Sequence, residues 1–262
     1  MTEARPFGTF GDVSVVLAED YVATAEIHRA PDNYFDRKLI AAIAEALEAL
    51  DAEAACRVVV LCSEGKHFCA GANFRDAEPL ATDDGRHLYD EAVRLFRTRK
   101  PILAVVQGAA VGGGLGLALA ADLRTAAPEA RFSANFARLG IHHGFGLGVT
   151  LPRVVGRQRA LELLFTGRRV PGEEALAIGL CDRLVPLSEL RAGAHRVAAE
   201  VASASPLAIE AIRATLRLGL ADEIARATAH ERAEQERLQR TDDFREGVRA
   251  MSERRVPRFA RR

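Results

Sequence analysis

PILAVVQGAAVGGGLGLALAA, residues 101–121, contains no charged side chain. That is roughly the length of a helix that spans a bilayer. Gln107 and five glycines interrupt it, three of them consecutive at Gly112, Gly113 and Gly114. Each glycine costs a helix about 1 kcal/mol relative to alanine. The stretch therefore reads as a buried strand over 102–106, a glycine turn, and a helix over 115–121, not as a membrane span. The same pattern occurs upstream. Residues 57–62 form a short apolar strand, and residues 65–72 form a glycine-punctuated loop. Strand-then-glycine-loop units of this kind build α/β folds with strands buried on both faces.

The rest of the chain extends that reading. Residues 12–19 and 21–28 are β-rich with a break at Asp20, which predicts a hairpin. Ile40, Ile43, Leu47 and Leu50 recur at helical spacing, which predicts an amphipathic helix over 36–50. A helix over 87–99 ends at Pro101. Strands alternate with helices to about Val185. Beyond Ser205-Pro206 the pattern is helical and charged throughout. The expected division is a core at 1–204 and a helical region at 205–262, docked on the core or on a neighbouring subunit.

The chain has 262 residues, 36 basic and 36 acidic, with 48% hydrophobic residues. This suits one large globular domain with an appended piece. Zero net charge argues against a general nucleic-acid binder. The absence of Trp and the three Tyr argue against a base-stacking platform. Cys56, Cys62, Cys69 and Cys181 form no Cys-x-x-Cys pair and read as buried free thiols. The N-terminus lacks the apolar core of a secretory leader. The expectation is a cytoplasmic protein with no metal site.

Two loops attract chemical interest. They are His67-Phe-Cys-Ala-Gly-Ala-Asn73 and residues 108–116. Small residues permit close approach of a ligand to the backbone. At a helix N-terminus, free N–H groups favour negative charge. Two such donors, one from each loop, can hold a developing oxyanion; tight strand–helix packing explains the same glycines equally well. Gly112-x-Gly114-x-Gly116 does not match a Rossmann fingerprint, and Gly65-Lys66 does not match a P-loop.

At these loops the sequence resembles the crotonase superfamily, the enoyl-CoA hydratase/isomerase family. The resemblance begins with Arg29-Ala-Pro-Asp-Asn33 and the two loops. It continues through Leu139-Gly140, Arg153-Val-Val-Gly156, Phe165-Thr-Gly-Arg168, Ser205-Pro-Leu-Ala208 and Asp243-Phe-Arg-Glu-Gly247 to Arg255-Val-Pro-Arg-Phe259. It implies an α/β spiral of ββα units with a helical C-terminal trimerisation region, and a homotrimer or hexamer. It implies an acyl-CoA ligand, with coenzyme A part of the substrate and no separate cofactor. By motif position, the N–H groups of Ala72 and Gly113 form the oxyanion hole. Arg29, Ala30, Ala70 and Gly71 wall the CoA, and Arg75 stands where many members carry a Lys near its phosphates. The resemblance also implies that Arg258 and Phe259 could reach the CoA of a neighbouring subunit.

The resemblance also exposes departures. Hydratases carry two glutamates for acid/base work. Those positions hold Gly116 and Phe136 here. The Asp that dienoyl-CoA isomerases and aroyl-CoA dehalogenases carry falls on Gly144. His142 and His143 precede it, and an imidazole there suits proton transfer near neutral pH. Adjacent loop residues point different ways, so at most one is expected to face the substrate. His87, Tyr89, Asp90 and Glu91 lie on a helix that covers the acyl pocket and offers further candidates. His230-Glu231 reads as a solvated, charged helix face. The implied function is an enolate-stabilising acyl-CoA enzyme with non-standard acid/base residues, such as a decarboxylase of malonyl-type thioesters. The alternative is a non-catalytic acyl-CoA binding protein; a purely structural subunit ranks third.

Overall fold

A computed structural model describes residues 4–73 and 86–262. Three antiparallel strands open the chain: β1 (Ala4–Phe10), β2 (Val13–Ala18) and β3 (Val22–Ile27). The hairpin expected from the sequence is β2–β3. β1 escaped that reading because Pro6 and Gly8 break its alternation, and the pairing is irregular between them. Helix α1 (Arg37–Ala52) follows, capped by Asp36, whose side chain accepts from the Leu39 N–H at 2.8 Å. Its Leu39, Ile40, Ile43, Leu47 and Leu50 are all buried.

The chain then alternates. Strand β4 (Val58–Ser63) leads to α2 (Leu88–Arg97), β5 (Ile102–Val106), the short β6 (Ala109–Val111) and α3 (Gly113–Ala120). Strands β7 (Leu123–Ala126) and β8 (Arg131–Ser133) precede a 3₁₀ turn at Asn135–Leu139. Helices α4 (Leu147–Val155) and α5 (Arg157–Thr166), strand β9 (Arg169–Pro171), helix α6 (Gly172–Ala177) and strand β10 (Arg183–Leu184) complete the core sequence. Among the described residues the strands form two sheets. One has the order β1-β2-β3-β4-β5-β7-β10, and the other β6-β8-β9. From β3 onward the larger sheet is parallel. Every residue of β4 and β5 is buried. One face packs on α1, and the other on Leu190, Ala194, Ala198 and Ala202 of α7 (Leu190–Ala202). That double burial is why both strands read as unbroken apolar runs.

Three helices complete the C-terminal region: α8 (Pro206–Leu216), α9 (Leu220–Leu238) and α10 (Asp242–Ser252). Pro206 sits in the first turn of α8, where its missing N–H costs nothing. These helices fold back on their own core. α9 packs against α2 and α4, and α10 packs on the 3₁₀ turn. Asp122, between α3 and β7, accepts from Arg213 at 2.8 Å and Arg217 at 2.7 Å and also from the Ile102 N–H. Among the described residues, no helix is long and apolar enough to cross a membrane.

Candidate functional site

The two glycine-containing loops are laced together. The Cys69 N–H donates to Ala109 O, and the Val111 N–H donates back to Cys69 O, both at 3.0 Å. His67 Nδ1 accepts from the Ala109 N–H at 3.1 Å. Two residues beyond each contact lie Gly71 and Gly113. Gly71 adopts φ +102, and a Cβ there would stand 3.1 Å from Val111 O. The Phe35 N–H donates to Gly71 O at 3.0 Å, and Phe35 bridges Ala72 in parallel fashion. In such a bridge the bonds run to the residues flanking Ala72, so the N–H of Ala72 faces away from Phe35.

Gly113 is the first residue of α3, so its N–H has no partner within the helix. A Cβ on Gly113 would lie 2.2 Å from Phe35 Cζ, and one on Gly114 would lie 2.2 Å from Cys69 O. Neither glycine tolerates a side chain without movement of an aromatic ring or of backbone. Phe35 thus touches Gly113 directly and pairs with Ala72. A region of close backbone approach, with free N–H groups at one end of a helix, suits a carbonyl oxygen that gains negative charge.

Comparison with known proteins gives this site its context. A family model described as enoyl-CoA hydratase/isomerase matches residues 18–262. The chain belongs to that family. A probable enoyl-CoA hydratase of Mycobacterium bovis is 38% identical over 236 residues, 82% of this chain and 80% of the relative. The crystal structure of an enoyl-CoA hydratase/isomerase from Pseudoalteromonas atlantica superposes with a TM-score of 0.87 at 29% identity, covering 95% of this chain and all of that one. A methylmalonyl CoA decarboxylase superposes with a TM-score of 0.79 at 27% identity over 97% of this chain and all of that one. The α/β fold with its helical C-terminal region matches these structural neighbours.

In this member of the enoyl-CoA hydratase/isomerase family, the region around the laced loops is filled by aromatic rings. A Cβ on Gly116 would stand 2.6 Å from Phe145 Cβ. Phe145 is buried and meets Phe35 edge to face at 5.9 Å. Phe136, in the 3₁₀ turn, lies beside Gly112. A Cβ on Gly144 would fall 1.8 Å from the Tyr89 hydroxyl, so that hydroxyl occupies the place of a side chain.

The residues expected from the sequence to wall the CoA sit close to one another. Arg29 is tied to Asp12 at 2.6 Å and Asp36 at 2.7 Å. Burial opposes its charge, but those two bonds outweigh it and raise its pKa. The Ala30 N–H donates to Glu64 and the Ala70 N–H to Asp32 O. Arg75 lies outside the described residues. Arg258 and Phe259 belong to a terminal segment clamped on α10, where Glu246 and Asp243 accept from the N–H groups of Arg258, Ala260 and Arg261.

Two expectations need correction. His142 and His143 do not diverge. Their rings stack at 4.1 Å, because His142 Nδ1 bonds the His143 carbonyl at 2.7 Å and turns its ring over its neighbour. Glu231 is not solvated either. It is 2% exposed, and its two oxygens accept from the N–H groups of Gly146 at 2.9 Å and Gly148 at 3.3 Å. It lies 3.5 Å from His143 Nε2. A carboxylate therefore does stand beside the histidines. Among the described residues, however, no group of three or more His, Cys, Asp or Glu side chains could hold a metal ion. Burial pushes the Glu231 carboxyl up to about 7 against the pull of the two N–H groups. Burial, with His142 and His230 behind it, pushes His143 down to about 4.

Tyr89 and Gln235 complete this polar cluster. Tyr89 donates to Gln235 Oε1 at 2.7 Å, and Gln235 Nε2 donates to His142 O at 2.9 Å. Burial and Glu231 raise the Tyr89 pKa well above its ordinary value. His87 and Asp90 are committed to capping α2. His87 Nδ1 accepts from the Tyr89 N–H, and Asp90 accepts from the His87 N–H. Glu91 is buried against Arg94 and Arg37. Sequence reading missed Phe35, Phe145, Glu231 and Gln235. The spacing of Thr228, Glu231 and Gln235 was the available signal, since it places them on one face of α9.

Proposed function

We propose that this protein binds an acyl-CoA thioester and stabilises its enolate between the N–H groups of Ala72 and Gly113. The lacing of Cys69 to β6, with Ala72 held against Phe35, carries the reading, because it sets one unpaired helix N–H beside the loop that bears the other. In this reading the two glutamates of hydratases have no counterpart. Gly116 and Phe136 stand in their places, and Phe145 fills the space that a side chain at 116 needs. An enolate formed by loss of CO₂ requires no base to create it, only stabilisation and a proton to quench it. The likeness to a methylmalonyl CoA decarboxylase over nearly the whole chain favours that chemistry. His143, neutral at pH 7, and the Glu231 carboxyl behind it are the titratable pair assigned to the quench. The protein works in the cytoplasm as a trimer or a pair of trimers. Leu207, Ile212, Leu216 and Leu218, all exposed on or just after α8, support self-association.

The test is incubation with malonyl-type and enoyl-CoA thioesters in heavy water, followed by product mass. Loss of CO₂ with one deuterium gained is the expected result. Addition of water to an enoyl thioester would show that an acid/base pair for hydration exists after all. Binding without any mass change would convert the reading to a carrier of acyl-CoA. Failure to bind any acyl-CoA would overturn it.

A further inference from the structure

A separate constellation lies on the sheet face that packs on α7. Ser14 Oγ is 2.7 Å from His28 Nε2, and His28 Nδ1 is 3.0 Å from Glu64 Oε2. The second carboxylate oxygen, Oε1, accepts from the Ala30 N–H at 3.3 Å. The register of three adjacent strands produces this line. Ser14 pairs with Glu26 across β2 and β3, and Ile27 pairs with Ser63 across β3 and β4. One residue past the end of β3, His28 therefore comes beside Glu64 and diagonal to Ser14. The backbone is fixed there by the His28 N–H to Asp12 O at 2.9 Å and the Glu64 N–H to Ile27 O at 3.0 Å.

The hydrogen bonds assign the tautomer. A carboxylate only accepts, so in the neutral imidazole Nδ1 carries the proton and Nε2 is left as the acceptor for the Ser14 hydroxyl. The bonds from His28 and Ala30 hold the Glu64 carboxyl below its ordinary range, which keeps the orienting charge in place. His28 is exposed and Ser14 is partly so, which leaves room for a reacting group.

We propose that Ser14, His28 and Glu64 are a nucleophile, base and orienting acid that accept an acyl group from activated esters and thioesters. Ser14 Oγ attacks the acyl carbonyl carbon. A carbon–oxygen bond forms as the bond to the leaving thiolate or phenolate breaks. The hydroxyl proton passes to His28 Nε2 and from there to solvent, and the thiolate or phenolate departs as the anion. Hydrolysis of the acyl-serine uses the same base in reverse, with water as nucleophile. The main-chain groups of β2 are engaged in ladders with β1 and β3 and are not offered to a developing oxyanion, so activated acyl donors with good leaving groups are favoured. This site adjoins Ala30, which the acyl-CoA reading places beside the CoA, but its chemistry does not require that reading.

The experiment is incubation of the full chain with p-nitrophenyl acetate, with the released phenolate timed and the peptide containing Ser14 weighed. One acetyl group on Ser14 is expected, absent in Ser14→Ala. General-base assistance contributes about 10²–10⁴-fold, so His28→Gln should slow Ser14 acetylation by at least about 10²-fold. Circular dichroism checks that the variant folds. If it does not, Glu64→Gln carries the same comparison, with a slower rate expected. Ser14 left unlabelled in the wild type, or labelled equally fast in the folded variant, overturns the proposal. Loss of acyl-CoA binding alone would leave this result untouched.

Discussion

Replacing Glu231 with Gln should change how stability depends on pH more than it changes stability itself. Glu231 and His143 lie 3.5 Å apart, yet burial drives both towards their neutral forms. Moving a carboxyl from 4.5 up to about 7 corresponds to about 3 kcal/mol, at 1.36 kcal/mol per pKa unit. The folded chain then holds a proton that the unfolded chain has released, so stability falls as pH rises from about 4.5 to 7. His143 acts in the opposite sense. Moved from 6.5 down to about 4, it leaves the unfolded chain with the extra proton, and stability rises by about 3 kcal/mol across that window. In the wild type the two slopes oppose each other over most of their range. Glu231→Gln removes one of them. The difference between wild-type and variant unfolding free energies should then fall by about 3 kcal/mol between pH 4.5 and 7. The difference for His143→Gln should rise by a similar amount between about pH 4 and 6.5. Other titrating groups cancel in each difference. The assay is urea unfolding at fixed protein concentration over that pH range. If Glu231 and His143 instead formed a charged pair, both differences would be nearly flat across these windows, with their slopes displaced below pH 4.5 and above pH 6.5, and the argument from burial would be wrong.

Other substitutions probe the packing around the laced loops. Gly116→Glu should destabilise the fold by at least about 3 kcal/mol, the upper range for overpacked cores, and Phe145→Ala in the same chain should recover much of that loss; thermal unfolding of the single and double variants checks this. Gly114→Ala should be severe without any ring to blame, because its Cβ would meet the carbonyl of Cys69 at 2.2 Å; little soluble protein is the expected readout. Tyr89→Phe leaves Gln235 Oε1 without its donor and should cost about 1–3 kcal/mol, measured by urea unfolding.

The core was legible because it follows apolar periodicity. β4 and β5 are buried on both faces, so each stands out in the sequence as an unbroken block rich in Val, Leu and Ile. α1 shows its buried stripe at helical spacing, and the glycines of residues 108–116 mark where that chain segment turns. The elements that escaped are those whose burial is not apolar or whose length is too short to show a period. β6, β8 and β9 have three residues each, so no alternation can be seen in them. β1 carries its few apolar residues around Pro6 and Gly8.

The candidate site divides along the same line, and α9 shows why. Ile224, Thr228, Glu231 and Gln235 are its buried residues, one helical face in which only the first is apolar. A reading that equates polar with exposed assigns this face to solvent. The face is nonetheless buried, because the loop it covers presents unpaired N–H groups and a carbonyl: Gly146 and Gly148 need acceptors, and His142 O needs a donor. Glu231 and Gln235 supply them. A buried polar helix face of this kind is specified by the hydrogen-bonding needs of a distant loop, 83 residues earlier for Gly148 to Glu231 and 93 for His142 to Gln235. No local window of sequence contains both halves of the match. What the sequence could offer was the loop itself. Glycines at 144, 146 and 148 are each crowded by Tyr89, Ile224 or His143, so their missing side chains are the imprint of the elements packed over them.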